Sequence, residues 1–100
     1  MNLNQIIEKL ENNKEKLKTY GVKRIGVFGS YVKNKQNEKS DIDIIVEFEK
    51  GKATLDNFMG LLSFLEDLFN KKVDLLTVQG VKSIRIENIR KNIEECAVYV

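Results

Sequence analysis

An α/β (α+β) domain, built as a small sheet of three to four strands flanked by helices, is predicted by three observations. Apolar residues recur at helical spacing over 3–18, 55–69 and 82–95. Between them lie β-branched runs at 22–28, 41–49 and 72–78. One hundred residues, 42% of them hydrophobic, suffice for one core without disulfide staples. With no proline, no repeat and no low-complexity tract to mark a linker, residues 1–100 read as one domain.

The first helix is argued from Leu3, Ile6, Ile7, Leu10 and Leu17, with Asn2 placed to cap it and Gln5 three residues later. Its polar side alternates Glu and Lys, a solvated dressing. Tyr20-Gly21 stops it, glycine being the common left-handed exit. Val22 to Phe28 follows as a strand, apolar on both sides toward its end as an inner strand should be. Gly51 breaks the strand over 41–49, and Thr54 caps a helix whose Leu55, Phe58, Met59, Leu61, Leu62, Leu65, Leu68 and Phe69 make it the most apolar in the chain. That stripe is core, and Asn70 is its left-handed exit. The third strand places Val73 and Leu75 on one side and Asp74 with Leu76 on the other. Gly80 separates it from a last helix striped with Ile86, Ile89 and Ile93, and Arg85, Arg90 and Lys91 dress the solvated side. The tail from Ala97 to Val100 is extended and apolar, a candidate fourth strand or partner contact.

Composition narrows the function. Seventeen basic against 15 acidic residues leave a net charge of +2, so no extended nucleic-acid surface is demanded and no specific nucleic-acid partner is expected. Cys96 is the single cysteine and there is no histidine, which excludes a Cys/His zinc site and a histidine base. The N-terminal stretch is charged and amphipathic, unlike a secretory leader, and no apolar run approaches the roughly 20 residues of a membrane span. A soluble, cytoplasmic protein is the economical expectation.

One stretch carries chemistry. Aspartate is depleted in strands, yet Asp41 and Asp43 alternate with Ile42 and Ile44 in the run Ser40-Asp41-Ile42-Asp43-Ile44-Ile45-Val46. Residues two apart in a strand share a side, about 6.5 to 7 Å apart, so both carboxylates face one way. Two repelling carboxylates give an isolated protein nothing, whereas a pair of divalent cations about 3.5 to 4 Å apart is well served by them. Histidine-free oxygen ligation favours Mg²⁺, with Mn²⁺ as the alternative. Gly29-Ser30 ends the preceding strand where the chain must turn. Glycine lets backbone approach an anion, and Ser30 is placed as an N-cap whose hydroxyl faces phosphate. Lys33, Lys35 and Lys39 add positive charge on the way back to the aspartates. Glu47 shares the side of Asp41 and Asp43, but reads as a polar-face residue near the strand end.

Gly29-Ser30, nine intervening residues and then the Ser40–Val46 run resemble the signature of the DNA polymerase β-type nucleotidyltransferase superfamily, and the chain's length matches its minimal nucleotidyltransferases. The resemblance implies a polymerase β palm-like mixed sheet and covers nearly the whole chain. The family motif carries a small residue, Arg and Gly where this chain has Val32, Lys33 and Asn34. Lysine keeps arginine's charge without its bidentate fork, and asparagine tolerates a left-handed backbone. The resemblance further implies that Asp74 is the third carboxylate, on the strand beside the Asp-x-Asp strand. Asp41, Asp43 and Asp74 would then hold two Mg²⁺ ions and carry the catalysis. Gly29, Ser30, Lys33 and Ser40 would grip ATP. Family members of this size resemble the antitoxin half of a toxin–antitoxin pair, which implies transfer of AMP to a hydroxyl, a tyrosine by expectation, on a HEPN ribonuclease toxin. Two other readings stand beside it: an inactive antitoxin that masks its toxin, and a small-molecule nucleotidyltransferase, which normally needs an acceptor-binding domain absent from this stretch.

Overall fold

The computed structural model describes residues 1–33 and 40–100, and Asn34, Lys35 and Lys39 fall outside them. A four-stranded mixed sheet is ordered β3-β2-β1-β4. Strand β1 (Val22–Phe28) pairs antiparallel with β2 (Ile42–Phe48), and β2 runs parallel to β3 (Val73–Thr77). The tail supplies β4 (Val98–Tyr99), antiparallel to β1, so β1 is indeed an inner strand. Among the described residues no helix is long and apolar enough to cross a membrane.

The N-terminal helical stretch is two helices, α1 (Leu3–Asn12) and α2 (Lys14–Thr19), where periodicity predicts one. Asn13 breaks it by turning its side-chain amide back onto the Lys9 carbonyl at 2.7 Å, the local competition that makes asparagine a poor mid-helix residue. The expected start is present: Asn2 and Gln5 form a reciprocal capping box, with both bonds at 2.9 Å. Helix α3 (Leu55–Phe69) connects the parallel strands, capped by Thr54 and closed by Asn70 in the left-handed conformation. The predicted final helix divides into α4 (Val78–Lys82) and α5 (Glu87–Cys96). Gly80 lies inside α4, because Thr77 caps that helix through the Gly80 N–H at 3.0 Å and the Ser83 hydroxyl bonds back to Gln79 at its end.

Strand alternation sorts the apolar residues into two clusters. Ile25, Val27, Ile42, Ile44, Val46, Val73 and Leu75 meet Ile6 and Leu10 of α1, Leu17 of α2, and Leu61, Leu65 and Phe69 of α3 in the main core. On the other side of the sheet Phe28 and Ile45 meet Val78 and Val81 in a smaller cluster, with Ile93 and Ala97 packed against it. Asp43 and Asp74 stand on this thinly covered side.

Candidate active site

The site begins where β1 ends. Gly29–Tyr31 forms one turn of 3₁₀ helix, and Gly29 takes a φ of +76° that an L side chain rarely adopts. Tyr31, 2% exposed, drives into the main core and moors the turn to it. Ser30 is not an N-cap: Phe28 holds that position, and no side chain caps the turn. The short turn expected after Ser30 begins one residue earlier, as a three-residue 3₁₀ turn over Gly29–Tyr31.

The turn and the acids are built against each other. Phe28 is paired with Asp43 across the antiparallel ladder, which puts Gly29 over the Asp43 carboxyl. A Cβ on Gly29 would collide with that carboxyl, lying 2.9 Å from Cγ. The Ser30 backbone N–H lies close enough to the Asp43 carboxyl to favour its charged form. Glycine is therefore required twice, by its backbone angle and by close approach.

Asp43 and Asp74 are register partners in the parallel β2–β3 ladder, which sets their carboxyls side by side. Half-burial and the Asp74 charge raise the Asp43 pKa from 3.8 to about 6, with a smaller push from Asp41, against the lowering effect of the Ser30 N–H. Asp41 precedes the first residue of β2, just outside the strand in which it was expected. Among the described residues, no three His, Cys, Asp or Glu side chains close into a metal cage. What the structure brings together is the Asp43–Asp74 pair, with Asp41 within electrostatic reach. Two acids forced into contact suit a divalent cation, which would replace their mutual repulsion with attraction, and the all-oxygen donor set suits a hard ion.

Ser40 is half-buried just ahead of Asp41. The Lys33 backbone N–H bonds the Gly29 carbonyl at 3.1 Å, and its ammonium reaches Asn92 Oδ1 on α5 at 3.3 Å. Sequence reasoning missed Asn92, since no local pattern marks a residue 59 positions from its partner. Glu47 is spoken for: Arg24 binds it at 2.8 Å, as the polar-face reading expects. A recess of about 240 Å³ between the far ends of β2 and β3, lined by Val46, Glu47, Thr77 and Gln79 among others, includes none of the three aspartates. Among the described residues, Asp74 is exposed and Asp41 and Asp43 are half-buried.

Known proteins resemble this chain in sequence and fold. The chain is 42% identical over 100 residues, 98% of its length and 97% of the relative's, to MJ1379 of Methanocaldococcus jannaschii, whose name proposes a protein adenylyltransferase. It is 40% identical over 89 residues, 89% of its length and 85% of the relative's, to the protein adenylyltransferase MntA of Thermococcus cleftensis. Among solved structures, one described as a minimal nucleotidyltransferase superposes with a TM-score of 0.76 at 28% identity, covering 98% of this chain and 95% of that one. A chain from a toxin–antitoxin crystal structure with AMP-PNP matches at a TM-score of 0.61 and 28% identity, covering 99% of this chain and 72% of that one. The pattern of the nucleotidyltransferase domain matches residues 6–100, and with these relatives it establishes that the chain belongs to the nucleotidyltransferase domain family.

Proposed function

We propose that this nucleotidyltransferase transfers AMP from ATP to a tyrosine hydroxyl of a HEPN-type toxin, with Mg²⁺ as its ion, and so acts as the toxin's antitoxin in the cytoplasm. The observation that carries the reading is the Asp43–Asp74 carboxyl pair held beside the Gly29–Ser30 turn. The protein adenylyltransferase MntA and the toxin–antitoxin structure with AMP-PNP support the choice of donor and partner.

Asp41, Asp43 and Asp74 are the residues that would hold the ions. Bound there, Mg²⁺ supplies charge neutralisation at the α-phosphate and at leaving pyrophosphate. The chain's own residues do the rest. Gly29 exposes backbone to the β- and γ-phosphates, and the Ser30 hydroxyl, the Lys33 ammonium and Ser40 add polar grip. The acceptor oxygen forms a bond to the α-phosphorus as the bond to the β-phosphate bridge breaks. Asp74, the exposed member of the pair, takes the hydroxyl proton. An open surface leaves the acceptor to be presented by another chain.

Incubation with α-labelled ATP, Mg²⁺ and the product of the neighbouring gene, expected to be a HEPN-type toxin, tests this. Label is expected on the toxin and lost with Asp43→Asn and Asp74→Asn; label that survives both substitutions refutes the site. The open arrangement of the three acids also favours a second reading, neutralisation by masking alone. Its signature is full toxin inhibition by the Asp41→Asn/Asp43→Asn double variant without nucleotide.

A further inference from the structure

We propose that Asn92 is a positioning residue for nucleotide binding: from α5 it holds the Lys33 ammonium beside the Gly29–Ser30 turn, ready for the outer phosphates of the triphosphate. The proposal rests on the nucleotidyl-transfer reading and adds to it a residue that no sequence motif includes.

Lys33 is tethered at both ends. Its backbone N–H bonds the Gly29 carbonyl at 3.1 Å, one residue beyond the Val32 N–H that closes the 3₁₀ turn on the same oxygen, and its Nζ donates to Asn92 Oδ1 at 3.3 Å. A free lysine side chain loses much rotamer freedom on grasping an anion, and a tether restricts it before the anion arrives. The partner's chemistry suits the task. A neutral amide oxygen orients an ammonium without cancelling its charge, whereas a carboxylate would compete with phosphate for it. Of the three acids on the same helix, Glu87 pairs with Lys91 at 3.0 Å and Glu94 with Arg90 at 3.5 Å, while the Lys33 ammonium takes the neutral Asn92 as its partner.

Asn92 is itself held. Cys96, one turn along, donates its thiol to the same Oδ1 at 3.4 Å. The adjacent Ile93, with Ala97, packs against the small cluster containing Phe28, the residue from which Gly29 departs. Helix α5 is thus moored to the strand end that launches the turn, and Asn92 spans the gap to Lys33. This gives the helix a task in the site although none of its residues is fully buried.

The test is calorimetric titration with α,β-methylene-ATP, which cannot transfer AMP, in Mg²⁺. Asn92→Ala is expected to raise Kd about three- to tenfold, the effect of one ordinary solvent-exposed hydrogen bond. Lys33→Ala raises it at least as much, and the double variant binds no worse than Lys33→Ala. Asn92→Gln, which keeps a neutral amide one methylene farther out, recovers at least half of the lost binding energy. Wild-type affinity in Asn92→Ala overturns the role, as does a loss of equal size in the Lys33→Ala background or a Gln variant as weak as the Ala one. A wild-type chain that does not bind the analogue overturns this role and the transfer reading together, whereas tight binding indifferent to position 92 overturns this role alone.

Discussion

The two sides of the sheet are made from the same strands and do opposite work. One side sends Ile42, Ile44 and Val46 into a core covered by α1, α2 and α3, where Ile6, Leu10, Leu61 and Leu65 have no exposed surface at all. The other sends Asp43, Ile45 and Glu47 from the alternate positions of β2 toward a cover that, among the described residues, comes from α4 and α5. Stability is concentrated on the first side, and the second is left open enough for a charged substrate to reach two acids. Because alternation in one strand serves both, a one-residue slip would exchange core for carboxylate.

Substitutions can separate the two sides. The largest effect is expected from Asp74→Asn, which removes the proposed proton acceptor from an exposed position. Transfer should fall on the order of 10³-fold, with the unfolding midpoint unchanged or raised, as a radiolabel assay and a denaturant titration would check. Leu61→Ala on the covered side should do the reverse, costing about 2–5 kcal/mol of stability while the rate per folded molecule is kept at a temperature where the variant is folded.

A third substitution sharpens the contrast through pH. The folded Asp43 binds its proton more tightly than an unfolded aspartate, so in chelator the chain should lose stability as pH rises through about 6. Solvent screening at this half-exposed group reduces the effect to on the order of 1 kcal/mol. Asp43→Asn should flatten that dependence, measured as denaturant midpoints at pH 5 and pH 8. Smallest is Arg24→Ala: its ion pair with Glu47 lies at the solvent edge and is worth about 0.2–1 kcal/mol. A larger loss would mean that the open side contributes more to stability than its burial implies.

What could be read in the sequence follows the same division. The covered side was legible because burial writes periodicity into the chain, and β1, β2, α3 and β3 lie within a residue or so of their predicted ends. Caps with local side-chain signals were also legible, at Asn2, Thr54 and Asn70. The helix breaks at Asn13 and Ser83 were not, since each depends on one side chain turning back on its own backbone. In the site, the pairing of Asp43 with Asp74 followed from the resemblance and strand order, and the structure gives it a register. The turn beside it was read one residue late, with Ser30 as the N-cap where Phe28 holds that position. Asn92 was invisible because its meaning depends on where α5 packs.

The parallel register between Asp43 and Asp74 also bears on how the protein wears out. Their spacing is fixed by the main-chain hydrogen bonds that join β2 to the edge strand β3, so it cannot drift while those strands remain zipped. Heating should leave the residual activity flat up to the melting transition and then abolish it together with the far-ultraviolet circular dichroism signal.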